Sequence, residues 1–99
     1  MKNRGQVVLK LYVSDMNGRA QLALQNLETI CSQCFPGKYK IETVDLSKNP
    51  ECAESGDILA TPTVIKELPP PVRRVIGDLS DREKVLVGLC LTNNDNTSE

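Results

Sequence analysis

Cysteine is the residue type in this chain best suited to chemistry. Four occur in 99 residues, and two of them form Cys31-Ser32-Gln33-Cys34, a C-x-x-C spacing. Such a pair can cycle between dithiol and disulfide, or supply half of a tetrahedral zinc site. A closed zinc site needs a second pair or histidines, yet Cys52 and Cys90 stand alone and the chain has no histidine. The same lack excludes Ser-His-Asp and Cys-His nucleophilic catalysis. No glycine-rich phosphate loop ending in Gly-Lys-Ser or Gly-Lys-Thr is present, and no carboxylate pair is set apart by its spacing. The expectation is a protein that is not an enzyme, with no catalytic residue, no metal and no cofactor.

Redox use of the C-x-x-C depends on where the chain places it. A reactive thiolate is favoured at the positive, N-terminal end of a helix. Ala20, Ala23, Leu24, Leu27, Ile30, Cys31 and Cys34 recur every three or four positions, the apolar stripe of a helix that Pro36-Gly37 stops. That helix starts near Gly18-Arg19, where no cysteine stands. Cys31 and Cys34 therefore fall at its negative end and on its buried stripe, and both effects raise a thiol pKa. The pair reads as small apolar core residues. A thioredoxin-like thiol protein using Cys31 and Cys34 is the alternative.

The other elements follow from pattern. Residues 7–13 are an aliphatic, β-branched run with one charge, Lys10, and read as a central strand. Residues 39–46 are a second strand, carrying Ile41, Val44 and Leu46. Asn49-Pro50 opens a short helix that Gly56 ends. Thr61-Pro62-Thr63 leads into a strand at 64–68, Pro69 to Pro71 interrupt it, and 72–76 form a last strand before the Gly77-Asp78 turn. Ser80-Asp81-Arg82-Glu83 fits a capping box, Ser80 as cap and Glu83 reaching back. The final helix should then run through Leu91, with Val85, Leu86, Leu89 and Cys90 inward. The order β-α-β-α-β-β-α, with a right-handed parallel crossover between the first two strands, is thioredoxin-like α/β topology. That fold places a cis proline at the entry to its third strand, the position of Pro62.

Composition is that of a soluble globular protein, 39% hydrophobic and 25% charged, and with 3% aromatics its core must be aliphatic. A net charge of -1 gives no basic face for nucleic acid. No run of about 18 apolar residues exists to cross a membrane. Residues 1–6 lead into a short strand holding Lys10, which is no signal peptide, so a cytoplasmic location with reduced thiols is expected. One domain should span 1–99, with an ordered core at about 6–91 and a polar tail at 92–99.

Several stretches together resemble the KaiB family of circadian clock proteins: Leu59-Ala60-Thr61-Pro62-Thr63, Leu68-Pro69-Pro70-Pro71-Val72-Arg73-Arg74-Val75-Ile76-Gly77-Asp78-Leu79-Ser80, and Arg82-Glu83-Lys84-Val85-Leu86. Leu9-Lys10-Leu11-Tyr12-Val13 and Lys48-Asn49-Pro50 agree as well. The resemblance implies an adaptor that binds and regulates a KaiC-type ATPase and then engages KaiA-like or histidine-kinase partners. It also implies a chain with two folds, a homotetrameric ground state and a thioredoxin-like monomer, differing after about Ala60. In the ground state a helix replaces the third strand, and a strand replaces the final helix.

Clock members carry Arg, Lys, Lys and Asp at positions matching Leu22, Glu42, Asp57 and Cys90, which marks this chain as a divergent paralogue. By the same resemblance Arg73, Arg74, Asp57 and Glu42 are the candidate partner-binding residues, and Pro62, Gly88 and Cys90 the candidate fold-switch residues. The local signals divide. A cap at Ser80 and Glu83 favours the final helix by about 1 kcal/mol. Gly88 costs a helix about 1 kcal/mol against alanine, and Val85, Val87 and Leu89 alternate as a strand would. An apolar Cys90 in place of an aspartate removes a negative charge near a helix C-terminus, so the thioredoxin-like state is the expected one.

Overall fold

Alternation in the first strand sets the architecture. Val7, Leu9, Leu11 and Val13 are buried on one face of β1 (Val7–Val13). The stripe of α1 (Gly18–Cys34) packs on that face through Ala20, Ala23, Leu27, Ile30 and Cys31. The computed structural model describes residues 6–55, 58 and 60–91. The remaining elements are β2 (Tyr39–Asp45), α2 (Glu51–Ser55), β3 (Thr63–Leu68), β4 (Arg73–Ile76) and α3 (Arg82–Gly88). The strands form one four-stranded sheet in the order β2-β1-β3-β4, with β1 and β2 parallel and the other pairs antiparallel. This is the expected thioredoxin-like arrangement, with a strand at β3 and a helix at α3.

Local chemistry explains the ends of α1. Asn17 Oδ1 accepts from the Ala20 amide at 3.0 Å, capping the first turn. At the other end the Phe35 amide donates to the Cys31 carbonyl at 2.7 Å. Gly37, at φ +73°, then turns the chain into β2. The short helix begins one residue after Pro50, and its expected end at Gly56 lies outside the described residues, as does the tail at 92–99.

Two expectations at α3 are corrected. The cap is Asp81, not Ser80: its side chain accepts from the Lys84 amide at 3.1 Å. Leu79 buries its side chain at 4% exposure by adopting φ +64°, and the Ser80 amide donates to Asp78 Oδ1 at 3.1 Å within that turn. Anchoring Leu79 moves the first helical residue one position on, and Asp caps as well as Ser. The helix also stops at Gly88 rather than running through Leu91. Cys90 adopts φ +55°, its amide donates to the Val87 carbonyl at 3.1 Å, and the Leu91 amide donates to the Leu86 carbonyl at 2.7 Å. These two bonds are a Schellman motif. It returns Leu91 to the core and leaves Cys90 exposed instead of inward.

Candidate functional site

The ladder register assembles a row of residues that sequence order hides, exposed at its ends and buried at Ile65. Glu42 on β2 pairs with Lys10 on β1, Lys10 with Ile65 on β3, and Ile65 with Arg74 on β4. Residues opposite one another across a ladder share a face. Glu42, Lys10, Ile65 and Arg74 therefore form one row across the whole sheet, on the face away from the α1 and α3 core. Glu67, two residues from Ile65, adds a carboxylate there, with its Oε2 3.6 Å from Lys10 Nζ. The Glu67 carboxylate, and after it Tyr12, raises the Lys10 pKa, with a smaller contribution from Glu42. The row is thus internally balanced in the middle and presents the exposed Glu42 and Arg74 at its two ends.

Strand alternation separates the two arginines. Both are exposed on the edge strand β4. Arg73, however, pairs with Lys66 in the row Ile41–Leu9–Lys66–Arg73, on the helix side of the sheet. Of the candidate partner-binding residues, the structure brings Glu42 and Arg74 onto one face and sets Arg73 on the other. Asp57 lies outside the described residues.

The candidate fold-switch residues gather around β3, β4 and α3. The Thr61-Pro62 peptide bond is cis and Pro62 is buried, its carbonyl accepting from the Gly77 amide at 2.8 Å. Gly88 lies against Val75 of β4. Cys90 is the left-handed residue that ends α3.

The cysteines are dispersed in their environments. Cys31 is fully buried, and burial, with Cys34 and Glu28 adding to it, pushes its thiol up to about 12. Cys34 is half-buried, and its Sγ accepts from Arg82 Nη2 at 3.3 Å, which ties the end of α1 to the start of α3. Among the described residues no group of three or more His, Cys, Asp or Glu is arranged to hold a metal ion. No described helix is long and apolar enough to cross a membrane. Sequence reasoning missed Lys66, which is buried, although its alternation with Val64 in β3 placed it on the core face.

Comparison with known proteins agrees with this fold and adds a family. The chain matches the KaiB domain over residues 10–91. It is 56% identical over 88 residues to the circadian clock oscillator protein KaiB of Gloeothece citriformis, covering 89% of this chain and 83% of that one. Among solved structures, the N-terminal domain of Synechococcus elongatus SasA superimposes with a TM-score of 0.72 at 19% identity, covering 90% of this chain and 88% of that one. Fasciola hepatica thioredoxin gives 0.66 at 17%, covering 89% and 82%. The structural matches establish a thioredoxin-like fold, and the extent and identity of the sequence match establish that the chain belongs to the KaiB family of non-enzymatic circadian clock proteins.

Proposed function

We propose that this chain is a cytoplasmic adaptor that binds and regulates a KaiC-type ATPase, and that it does so as a two-fold chain. The thioredoxin-like monomer is the binding form and a homotetramer is the ground state. KaiA-like or histidine-kinase partners join the same system. Membership of the KaiB family is the observation that carries this reading. The charged row from Glu42 to Arg74 supports it with a partner surface: complementary charges across an interface set specificity and association rate. Asp57 and Arg73 extend the proposed contact set, and Pro62, Gly88 and Cys90 are the proposed switch positions.

Size-exclusion chromatography with a KaiC-type hexamer, paired with its ATPase rate, tests the proposal. Co-elution and a changed rate are expected, both reduced by Arg73→Ala and Arg74→Ala while the thermal unfolding of the free chain is nearly unchanged. Exposed arginines on an edge strand contribute little to stability. Absence of co-elution with either nucleotide form of the hexamer would overturn the reading.

A further inference from the structure

Lys66 is at odds with its surroundings. Its side chain is 0% exposed, and its Nζ is a buried polar atom with no hydrogen-bond partner among the described residues. The register shows why. Lys66 stands opposite Leu9 of β1 and Arg73 of β4, on the core face of the sheet. Leu9 offers no acceptor and Arg73 is a second cation. Glu67, next in the chain, points to the other face and pairs with Lys10. Cys90, in the turn after α3, is the group whose negative form would favour the ammonium, whereas Arg73 opposes it. Burial is the larger effect, and it holds the Lys66 pKa below the usual lysine value.

We propose that Lys66 is a conformational device: an unpaired ammonium built into the sheet core that weakens the thioredoxin-like fold against any arrangement of residues 63–68 that returns it to water. An isolated buried charge is strongly unfavourable unless paired. Strand β3 carries Lys66 into this position, and it belongs to the half of the chain that refolds in the two-state reading above. The inference rests on that reading for its role, but not for its energetics.

The sign with pH follows from the depressed pKa. Below the folded-state value Lys66 is charged in both states and the penalty is complete. As pH rises toward 10.5, the unfolded chain holds the proton longer, so stability rises. Cys31 and Lys10, whose pKa values are raised, pull the other way at alkaline pH. They are common to wild type and a Lys66 variant and cancel in the difference.

Denaturant unfolding of wild type and Lys66→Met, at neutral pH and at steps up to pH 10.5, is the test. Lys66→Met should raise the folding equilibrium constant at neutral pH by about tenfold, the order expected when an unsatisfied buried polar group gives way to an apolar one of similar volume. Its advantage should shrink as pH rises. Equal or lower stability at neutral pH, or an advantage independent of pH, would overturn the proposal. A 13C titration of the Lys66 side chain in the unmodified protein gives a second reading. A midpoint below those of the other lysines supports the proposal, and one among them overturns it. Chromatography and backbone chemical shifts on the same samples report the tetramer. A stabilised Lys66→Met protein with no second fold in either sample supports the Lys66 device and removes the two-fold reading alone.

Discussion

Gly88 lies against Val75 so closely that a Cβ built on it would stand 2.6 Å from Val75 Cγ2. A glycine inside a helix weakens it by about 1 kcal/mol relative to alanine, so its place in the last turn of α3 calls for a reason. The reason is approach: α3 docks on β4 at a distance that leaves no room for a methyl group without displacing Val75. Gly88 thus acts as a packing residue of the thioredoxin-like arrangement, beside whatever it does in the helix-to-strand balance.

A double-mutant cycle isolates this contact. In Gly88→Ala, a helix-propensity gain of about 1 kcal/mol meets an overpacking cost of roughly 1–3 kcal/mol. Trimming Val75 to Ala removes the clash and leaves the gain. Gly88→Ala should therefore be more favourable in the Val75→Ala background than in wild type, by roughly 1–3 kcal/mol of coupling. Urea unfolding of the four proteins measures it. Additivity within about 0.3 kcal/mol would show that the helix and strand do not approach this closely.

The cysteine environments make an ordered prediction. Cys31 is fully buried with its thiol pushed up to about 12, so maleimide labelling at neutral pH should modify the exposed Cys90 first and Cys31 last. Insulin reduction should be absent, because the thiolate is the reactive form and Cys31 does not supply it. A raised acid pKa also carries a sign. Its contribution to stability is complete below pH 9.0 and is lost as pH rises toward about 12. Cys31→Ala should flatten that alkaline loss. Turnover that disappears in Cys31→Ser would reverse this account.

The start of α3 gives a prediction that separates neighbouring residues. Asp81 accepts from the Lys84 amide, whereas Ser80 belongs to the preceding turn. Asp81→Ala should destabilise the fold by about 1 kcal/mol, within a usual range of 0.5–2. Ser80→Ala should change it by less than about 0.5 kcal/mol, as for an ordinary surface site. The reverse order in thermal unfolding would restore the cap to Ser80.

The contrast between β1 and α3 shows what the residues disclose. The strand at 7–13 and the stripe of α1 are legible because one periodicity dominates each, and Pro36-Gly37 leaves no competing way to continue the helix. At α3 two good capping residues stand side by side, and the choice between them is made by burial of Leu79, a tertiary event. The helix end was obscured for a related reason. Gly88 is the residue type that ends helices, yet it is spent on packing, and Cys90 takes the left-handed position. The row from Glu42 to Arg74 needs the register of three ladders, including the irregularity at Val8 and Leu9, which no local pattern states. The four partner candidates came from family resemblance, and resemblance does not say that Arg73 and Arg74 face opposite ways.

Cys90 yields the last prediction. A non-glycine residue at φ +55° is held in the left-handed region, which disfavours L side chains by about 1–2 kcal/mol. The Schellman bonds from Cys90 and Leu91 hold it there, because releasing them would also withdraw Leu91 from the core. Glycine at this position relieves the strain but adds freedom to the unfolded chain, so Cys90→Gly should stabilise the helix-ended fold by roughly 0.5–1 kcal/mol net. Cys90→Val should destabilise it, since a branched Cβ suits that conformation least. The same pair of substitutions should move any equilibrium with a strand at these residues in opposite directions, valine toward the strand and glycine away from it. Thermal unfolding and the chemical shifts of residues 85–91 measure both effects. Identical behaviour of the two variants would mean that position 90 does not adopt the left-handed turn in solution.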